Sequence, residues 1–371
     1  MALIVVMLVG GMLSFSASGK DKDIVIAQAI DLSGPNSDIG MDYMAGAKVY
    51  FDYINLNGGV NGRKISHLFV DDKGDPGKTV EITNGFIKDD NAQILFGYFG
   101  DANVDAVLHE QKFQRSSAVL FAPLSGMDVQ PGKNDVFFMR ASYATEMKKM
   151  IGFFLGLGLK KYAVVYSTDS SYGKVALQAV EGELKKHDLS LSGKHLVSND
   201  GRGMRAAVQA LSVSKPQAII VILDSLPAAQ FVKDYHAMDW GVAMFGMSRI
   251  NAVPLVELVG LNLATGMMIA QVVPHPNSLS IPLVREHANL MKKFREEAPS
   301  HVTMEGFIAA KMLVETLKKA GSDLSRDHIA SILKERGGVE MGGYYVDFSS
   351  GNRGSNYVDV NVIGKKGKLL R

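Results

Sequence analysis

The apolar positions of this chain follow two alternating periods. Residues 24–30 (IVIAQAI) are apolar almost without a break, the pattern of a strand buried on both faces of a parallel sheet. Asp31-Leu32-Ser33-Gly34-Pro35-Asn36-Ser37 ends the strand and prepares a helix N-terminus. From Gly40 the spacing becomes helical: Tyr43, Ala47, Tyr50 and Ile54 share one face, which Met44 and Phe51 widen. Asn57-Gly58-Gly59 stops this helix, and Asn61-Gly62 turns the chain into a strand over 65–70. The alternation continues with a helix over 78–88, a short strand over 94–96, a helix over 104–112, a strand over 119–122 and an apolar stretch at 136–139. Strands that alternate with helices build a parallel sheet covered on both faces, joined by right-handed crossovers.

Near Tyr162 the pattern restarts. A strand over 162–166 (YAVVY), a polar loop over 167–172 and a helix over 173–186 repeat the opening order, about 140 residues later. Further strands are expected at 218–223, 243–245 and 267–272, with helices at 206–211, 227–238 and 253–258. Two strand-first halves predict two lobes of one architecture. Beyond Pro274-His275-Pro276 three helices follow one another, over 284–296, 304–319 and 326–336, with Phe307, Ala310, Val314 and Leu317 on the core face of the middle one. Helices without intervening strands cannot extend a parallel sheet, so they are expected to return and cover the first lobe. Closing strands are expected at 344–348 and 358–363.

Composition narrows the function. The 371 residues are 47% hydrophobic and 21% charged, enough for two ordinary cores, and the net charge of +2 lacks the concentrated basic surface of a nucleic-acid partner. Residues 1–19 hold no charged side chain, and their apolar run is too short to span a bilayer; small residues at Ala17-Ser18-Gly19 make this an expected signal peptide, cleaved near Gly19. The chain has no cysteine, so it carries no disulfide, no Cys-type zinc site and no Cys-anchored lipid. A free periplasmic protein, not a lipoprotein and not itself membrane-spanning after cleavage, is the expectation.

Several stretches together resemble a known family. The run "LSGPNSDIGMDYMAGAKVYFDYINLNGGVNGRKI" at 32–65, "VDDKGDP" at 70–76, "LFGYFG" at 95–100, "FMRASY" at 138–143, "DSSYGK" at 169–174 and "EGFIAAKMLVETLKKAG" at 305–321 are similar to the periplasmic solute-binding proteins that feed ABC importers for branched-chain amino acids and amides. The resemblance implies an α/β, two-lobed type I periplasmic-binding-protein fold, each lobe a parallel sheet flanked by helices, with three hinge crossings. It places lobe 1 at 20–140 plus 272–346 and lobe 2 at 141–271 plus 347–371, with crossings near Arg140, near 271–274 and near 346–348. It implies an extracytoplasmic component that captures a small polar ligand, an amino acid, amide or related molecule, by hinge closure and passes it to membrane permease subunits. A two-lobed ligand sensor with a separate signalling partner is the alternative. No cofactor is expected.

In open parallel sheets, ligands collect beyond the carboxyl ends of the strands. Candidate contacts therefore lie in the loops 33–39, 98–103, 124–126, 169–172, 224–225 and 247–251, which supply Ile39, Tyr98, Asp101, Asn103, Leu124, Ser125, Tyr172, Asp224, Ser248 and Arg249. In relatives that bind α-amino acids, the loop matching 100–104 carries hydroxyls for the carboxylate; here Asp101, Ala102, Asn103 and Val104 carry none. Ser125 matches a second hydroxyl-bearing loop, and Tyr172 an aromatic that packs on ligand. The acid that meets the ligand amine falls near Met247 or Ser248, followed here by Arg249. Both grips on an amino acid are altered, so leucine, isoleucine and valine are not expected as preferred ligands.

Each candidate has a plainer reading. Asp71, Asp72 and Asp75 could ligate a metal, but their Gly and Pro neighbours favour a turn. Tyr98 and Tyr172 also fit as half-buried wall, Arg249 as one half of a rim ion pair, and Asp101 as a helix N-cap. Enzyme motifs are incomplete: His109-Glu110-Gln111-Lys112-Phe113 lacks the second His of a zinc helix, Gly246-Met247-Ser248-Arg249-Ile250 lacks the final Gly of a nucleophile elbow, and Gly156-Leu157-Gly158 lacks a third Gly at dinucleotide spacing. No enzyme activity is expected.

Overall fold

The computed structural model describes residues 23–129, 135–169, 171–238, 241–335, 337–367 and 369–370; the expected signal peptide lies outside them. The first half runs β1 (Ile24–Ile30), α1 (Ser37–Leu56), β2 (Ile65–Asp71), α2 (Pro76–Lys88), β3 (Ile94–Phe96), α3 (Asp101–His109), α4 (Gln111–Arg115), β4 (Val119–Phe121) and β5 (Val136–Phe137). The second runs α5 (Tyr143–Gly156), β6 (Tyr162–Ser167), α6 (Ser171–Lys185), β7 (Leu191–Val197), α7 (Met204–Ser214), β8 (Ala218–Ile222), α8 (Ser225–His236), β9 (Ala243–Gly246), α9 (Ala252–Val259), α10 (Leu261–Ala264) and β10 (Met268–Gln271). The chain closes with α11 (Pro282–Phe294), α12 (His301–Ala320), α13 (Arg326–Leu333), β11 (Val339–Glu340), β12 (Tyr345–Val346), β13 (Asp359–Ile363) and β14 (Leu369–Leu370).

These elements form two lobes. In the first, the sheet order is β2-β1-β3-β4-β5 and every pairing is parallel. In the second, the order is β14-β13-β10-β9-β8-β6-β7, parallel from β10 to β7 and antiparallel where β13 and β14 add to one edge. Period-2 alternation sorts each strand onto two cores: Ile24, Ile26 and Ile30 of β1 enter one apolar cluster while Ala27 and Ala29 enter another. In β6, Ala163 and Val165 divide from Tyr162 and Val164 in the same way.

The three late helices return to the first lobe. Their apolar faces, including Phe307, Ala310, Val314, Leu317 and Ile329, share one core with β1 and α1. Two glycines let α12 lie directly on α1: a Cβ at Gly46 would stand 1.9 Å from the Thr303 carbonyl oxygen, and one at Gly306 would stand 2.1 Å from that of Tyr43. Ser300 caps α12 reciprocally with Thr303.

The chain passes between lobes three times, between β5 and α5, just after β10, and before β13. The last passage comes later than the expected 346–348. Phe348 packs in the first lobe, its ring centroid 5.4 Å from that of Phe137. Arg353 then donates from Nη1 to the Arg140 carbonyl at 2.6 Å and from Nη2 to that of Met127 at 2.7 Å. The chain is thus held to the first lobe as far as Arg353, and it joins the second sheet only at Asp359.

Candidate functional site

Loops that follow strands of the two sheets meet in the cleft between the lobes. From the first lobe come Phe99, Asp101 at the start of α3, and Ser125 after β4. From the second come Tyr143 on α5, Tyr172 on α6, Asp224 before α8, and Arg249 after β9.

Arg249 is the centre of this cleft. Only 3% exposed, it donates to Asp224 Oδ1 from Nε at 2.9 Å and from Nη2 at 2.7 Å. Its guanidinium carbon lies 4.5 Å from the Phe99 ring centroid and 4.4 Å from that of Tyr172, so rings from opposite lobes both lie against the cation. Burial works against its charge, but Asp224, with Tyr143 and Asp101, more than reverses this and raises its pKa. Its Nη1, and the hydroxyl of Tyr172, are buried without a partner among the described residues. Opposite stands Asp101, itself buried, which accepts from Ser125 Oγ at 2.5 Å and from the Tyr143 hydroxyl at 3.0 and 3.1 Å.

A second buried charged group spans the lobes. Arg140 pairs with Glu305 of α12 at 3.5 Å and donates from Nη2 to Ser248 Oγ. Ser248 in turn donates to Glu146 of α5, from N at 3.0 Å and from Oγ at 2.8 Å. Burial raises the pKa of both Glu146 and Glu305 against the opposing pull of Arg140.

Of the ten residues singled out from sequence, Asp101, Ser125, Tyr172, Asp224, Ser248 and Arg249 thus come together. The other four do not. Ile39 and Leu124 belong to the first lobe's apolar core. Tyr98, fully buried, shares a 2.9 Å hydrogen bond with Thr83 inside that lobe. Asn103, an expected ligand contact, points the other way and donates to Thr79 Oγ1 at 2.7 Å and to Asp72 Oδ2 at 3.3 Å. Two residues apart on a helix are about 200° apart around it, so Asp101 and Asn103 cannot face the same side.

Sequence reasoning missed Phe99, Tyr143, Glu146 and Glu305. The signal for Tyr143 and Glu146 was present: Ser142 caps α5 by accepting from the Thr145 N–H at 3.2 Å, and an apolar helical run follows. The aspartates after β2 build a turn, with Asp71 and Asp75 accepting backbone N–H groups and Asp72 held by Thr79. Among the described residues no group of three or more acidic or histidine side chains could hold a metal ion.

Two lobes joined by three crossings, with buried polar groups converging between them, define a binding protein. A model of the periplasmic binding protein family matches residues 23–367, and the chain belongs to that family. It is similar to a crystal structure of a substrate-binding periplasmic protein from Ralstonia solanacearum, at 32% identity and TM-score 0.87, covering 94% of this chain and 99% of that one. It is 23% identical to Leu/Ile/Val-binding protein homolog 1 of Brucella melitensis over 85% of this chain and 83% of that protein. An amino acid binding protein of Pseudomonas aeruginosa is 27% identical over 44% of each chain. The fold is the two-lobed type I periplasmic binding fold, and its family binds substrates without transforming them: the chain is not an enzyme. Membership carries a periplasmic location with it. No helix among the described residues is long and apolar enough to cross a membrane.

Proposed function

We propose that this chain is the solute-binding component of an ABC importer, capturing a small polar molecule between its lobes by hinge closure and passing it to membrane permease subunits. The observation that carries this is the pair of buried, unpartnered donors, Arg249 Nη1 and the Tyr172 hydroxyl, where the lobes meet. A buried donor without an acceptor is costly, and a ligand acceptor placed between these two relieves both. The names of two relatives, an amino acid binding protein and a Leu/Ile/Val-binding protein homolog, support an amino acid or a molecule like one. The preferred ligand is not leucine, isoleucine or valine, because 100–104 carries no hydroxyl and Met247-Ser248 no acid.

Closure moves the two bodies that the resemblance implies, 20–140 with 272–346 and 141–271 with 347–371, except that 347–353 move with the first, held there by Phe348 and Arg353. Ligand that bridges them shifts the population to the closed form, which the permease recognises. A thermal-shift panel of amino acids, amides, dicarboxylates and polyols tests this. A ligand at a hundred times its dissociation constant adds about 2.7 kcal/mol; a panel with no stabiliser, or with leucine the strongest, would overturn the reading. Export with cleavage near Gly19 belongs to the same proposal, and amino-terminal sequencing of the periplasmic protein is its check.

A further inference from the structure

Beside the Arg249–Asp224 pair, a further set of polar groups crosses between the lobes. Asp38 and Asp42 stand one turn apart on α1, in the first lobe, and meet the starts of two second-lobe helices. Asp38 Oδ2 accepts from Ser225 Oγ, at the first residue of α8, at 3.1 Å. Asp42 Oδ2 accepts from Asn251 Nδ2, at the cap of α9, at 3.4 Å, and from Ser300 Oγ, at the cap of α12 in its own lobe, at 2.7 Å. Ser225 Oγ also accepts the Asn251 N–H at 3.1 Å, which joins the two grips into one chain. Helix N-termini favour nearby carboxylates.

We propose that Asp38 and Asp42 are positioning residues of capture: a latch that holds the lobes shut and so sets how long a bound molecule stays. This rests on the closure reading above. Separating the lobes breaks the bonds to Ser225 and Asn251 but keeps that to Ser300. The groups facing Asp42 are Ser300, Asn251, Asp38 and Glu297, and those facing Asp38 are Ser225 and Asp224. Burial raises the pKa of Asp38 and pushes Asp42 up to about 6, and opening the lobes exposes both carboxyls to water. A carboxyl whose pKa is higher in the closed form takes up a proton on closing, so closure is favoured as pH falls from about 7 towards about 5.

The absence of cysteine makes the test clean. Fluorophores on Leu56→Cys and Val213→Cys, at exposed positions of opposite lobes, report the interlobe distance in single molecules without added ligand. In Asp38→Ala/Asp42→Ala the closed-to-open ratio falls about tenfold or more, the scale of a hydrogen bond to a charged group. Asp38→Asn/Asp42→Asn keeps the acceptors and restores closure but loses the pH response; it also carries the test if the alanine pair does not fold. An unchanged ratio in the alanine pair, or a pH response that survives in the asparagine pair, overturns the latch while leaving capture intact. A labelled parent with one invariant distance overturns both the latch and hinge closure.

Discussion

Two buried polar networks lie within the same molecule, and they differ in whether they are complete. Around Asp72, inside the first lobe, the carboxylate accepts from the Gly74 N–H at 2.9 Å, Thr79 Oγ1 at 2.7 Å and Asn103 Nδ2 at 3.3 Å. Thr83 extends the network, donating to the Thr79 carbonyl at 2.6 Å and bonding the Tyr98 hydroxyl. Around Arg249, between the lobes, Nη1 and the Tyr172 hydroxyl have no partner among the described residues. A satisfied network inside one body ties elements together, whereas an unsatisfied one between two bodies leaves a place for a third molecule. Both regions looked alike in sequence, as polar residues after strands.

The sharpest way to break this contrast is at Asp72. Asp72→Ala strands the donors of Asn103 and Gly74 in the first lobe, and we expect a loss of about 3 kcal/mol in denaturant unfolding. Asp72→Asn, which keeps an acceptor and removes the buried charge, should lose less. A change within experimental scatter for Asp72→Ala would show that the network holds nothing. In the cleft the effect should fall on affinity: Arg249→Ala should weaken the best ligand of the thermal-shift panel by about 1.5–3 kcal/mol, read by titration calorimetry. Some ligand-free stability should be lost as well, because Arg249→Ala leaves the Asp224 carboxylate buried without its partner. A large stability loss with unchanged affinity would place Arg249 with Asp72, as a structural group.

Much of this was legible from the chain alone. The continuous apolar runs at 24–30 and 162–166 are strands of two sheets, and the strand-poor stretch after Pro276 does return to the first lobe. Among the elements not read are the short α10, β11 and β14, and the longer β7 and α5. β7 alternates intermediate and exposed positions at a sheet edge, so it lacks the apolar run of a central strand. α5, which supplies Tyr143 and Glu146, follows directly on a crossing, where only the Ser142 cap and the apolar run after it announce a helix.

What the sequence by itself determined is the local grammar: which segments are strands or helices, and that the loops with Asp101, Ser125, Tyr172, Asp224, Ser248 and Arg249 follow strands. Periodicity can carry that much because it depends on neighbours a few residues apart. Only the tertiary structure decided which polar groups meet. Asp101 faces the cleft while Asn103, on the same turn, faces Asp72; Tyr143 reaches Asp101 across 42 residues, and Arg140 reaches Ser248 across 108. Whether a buried donor is satisfied depends on partners brought from distant segments, and so on how the two lobes pack against each other.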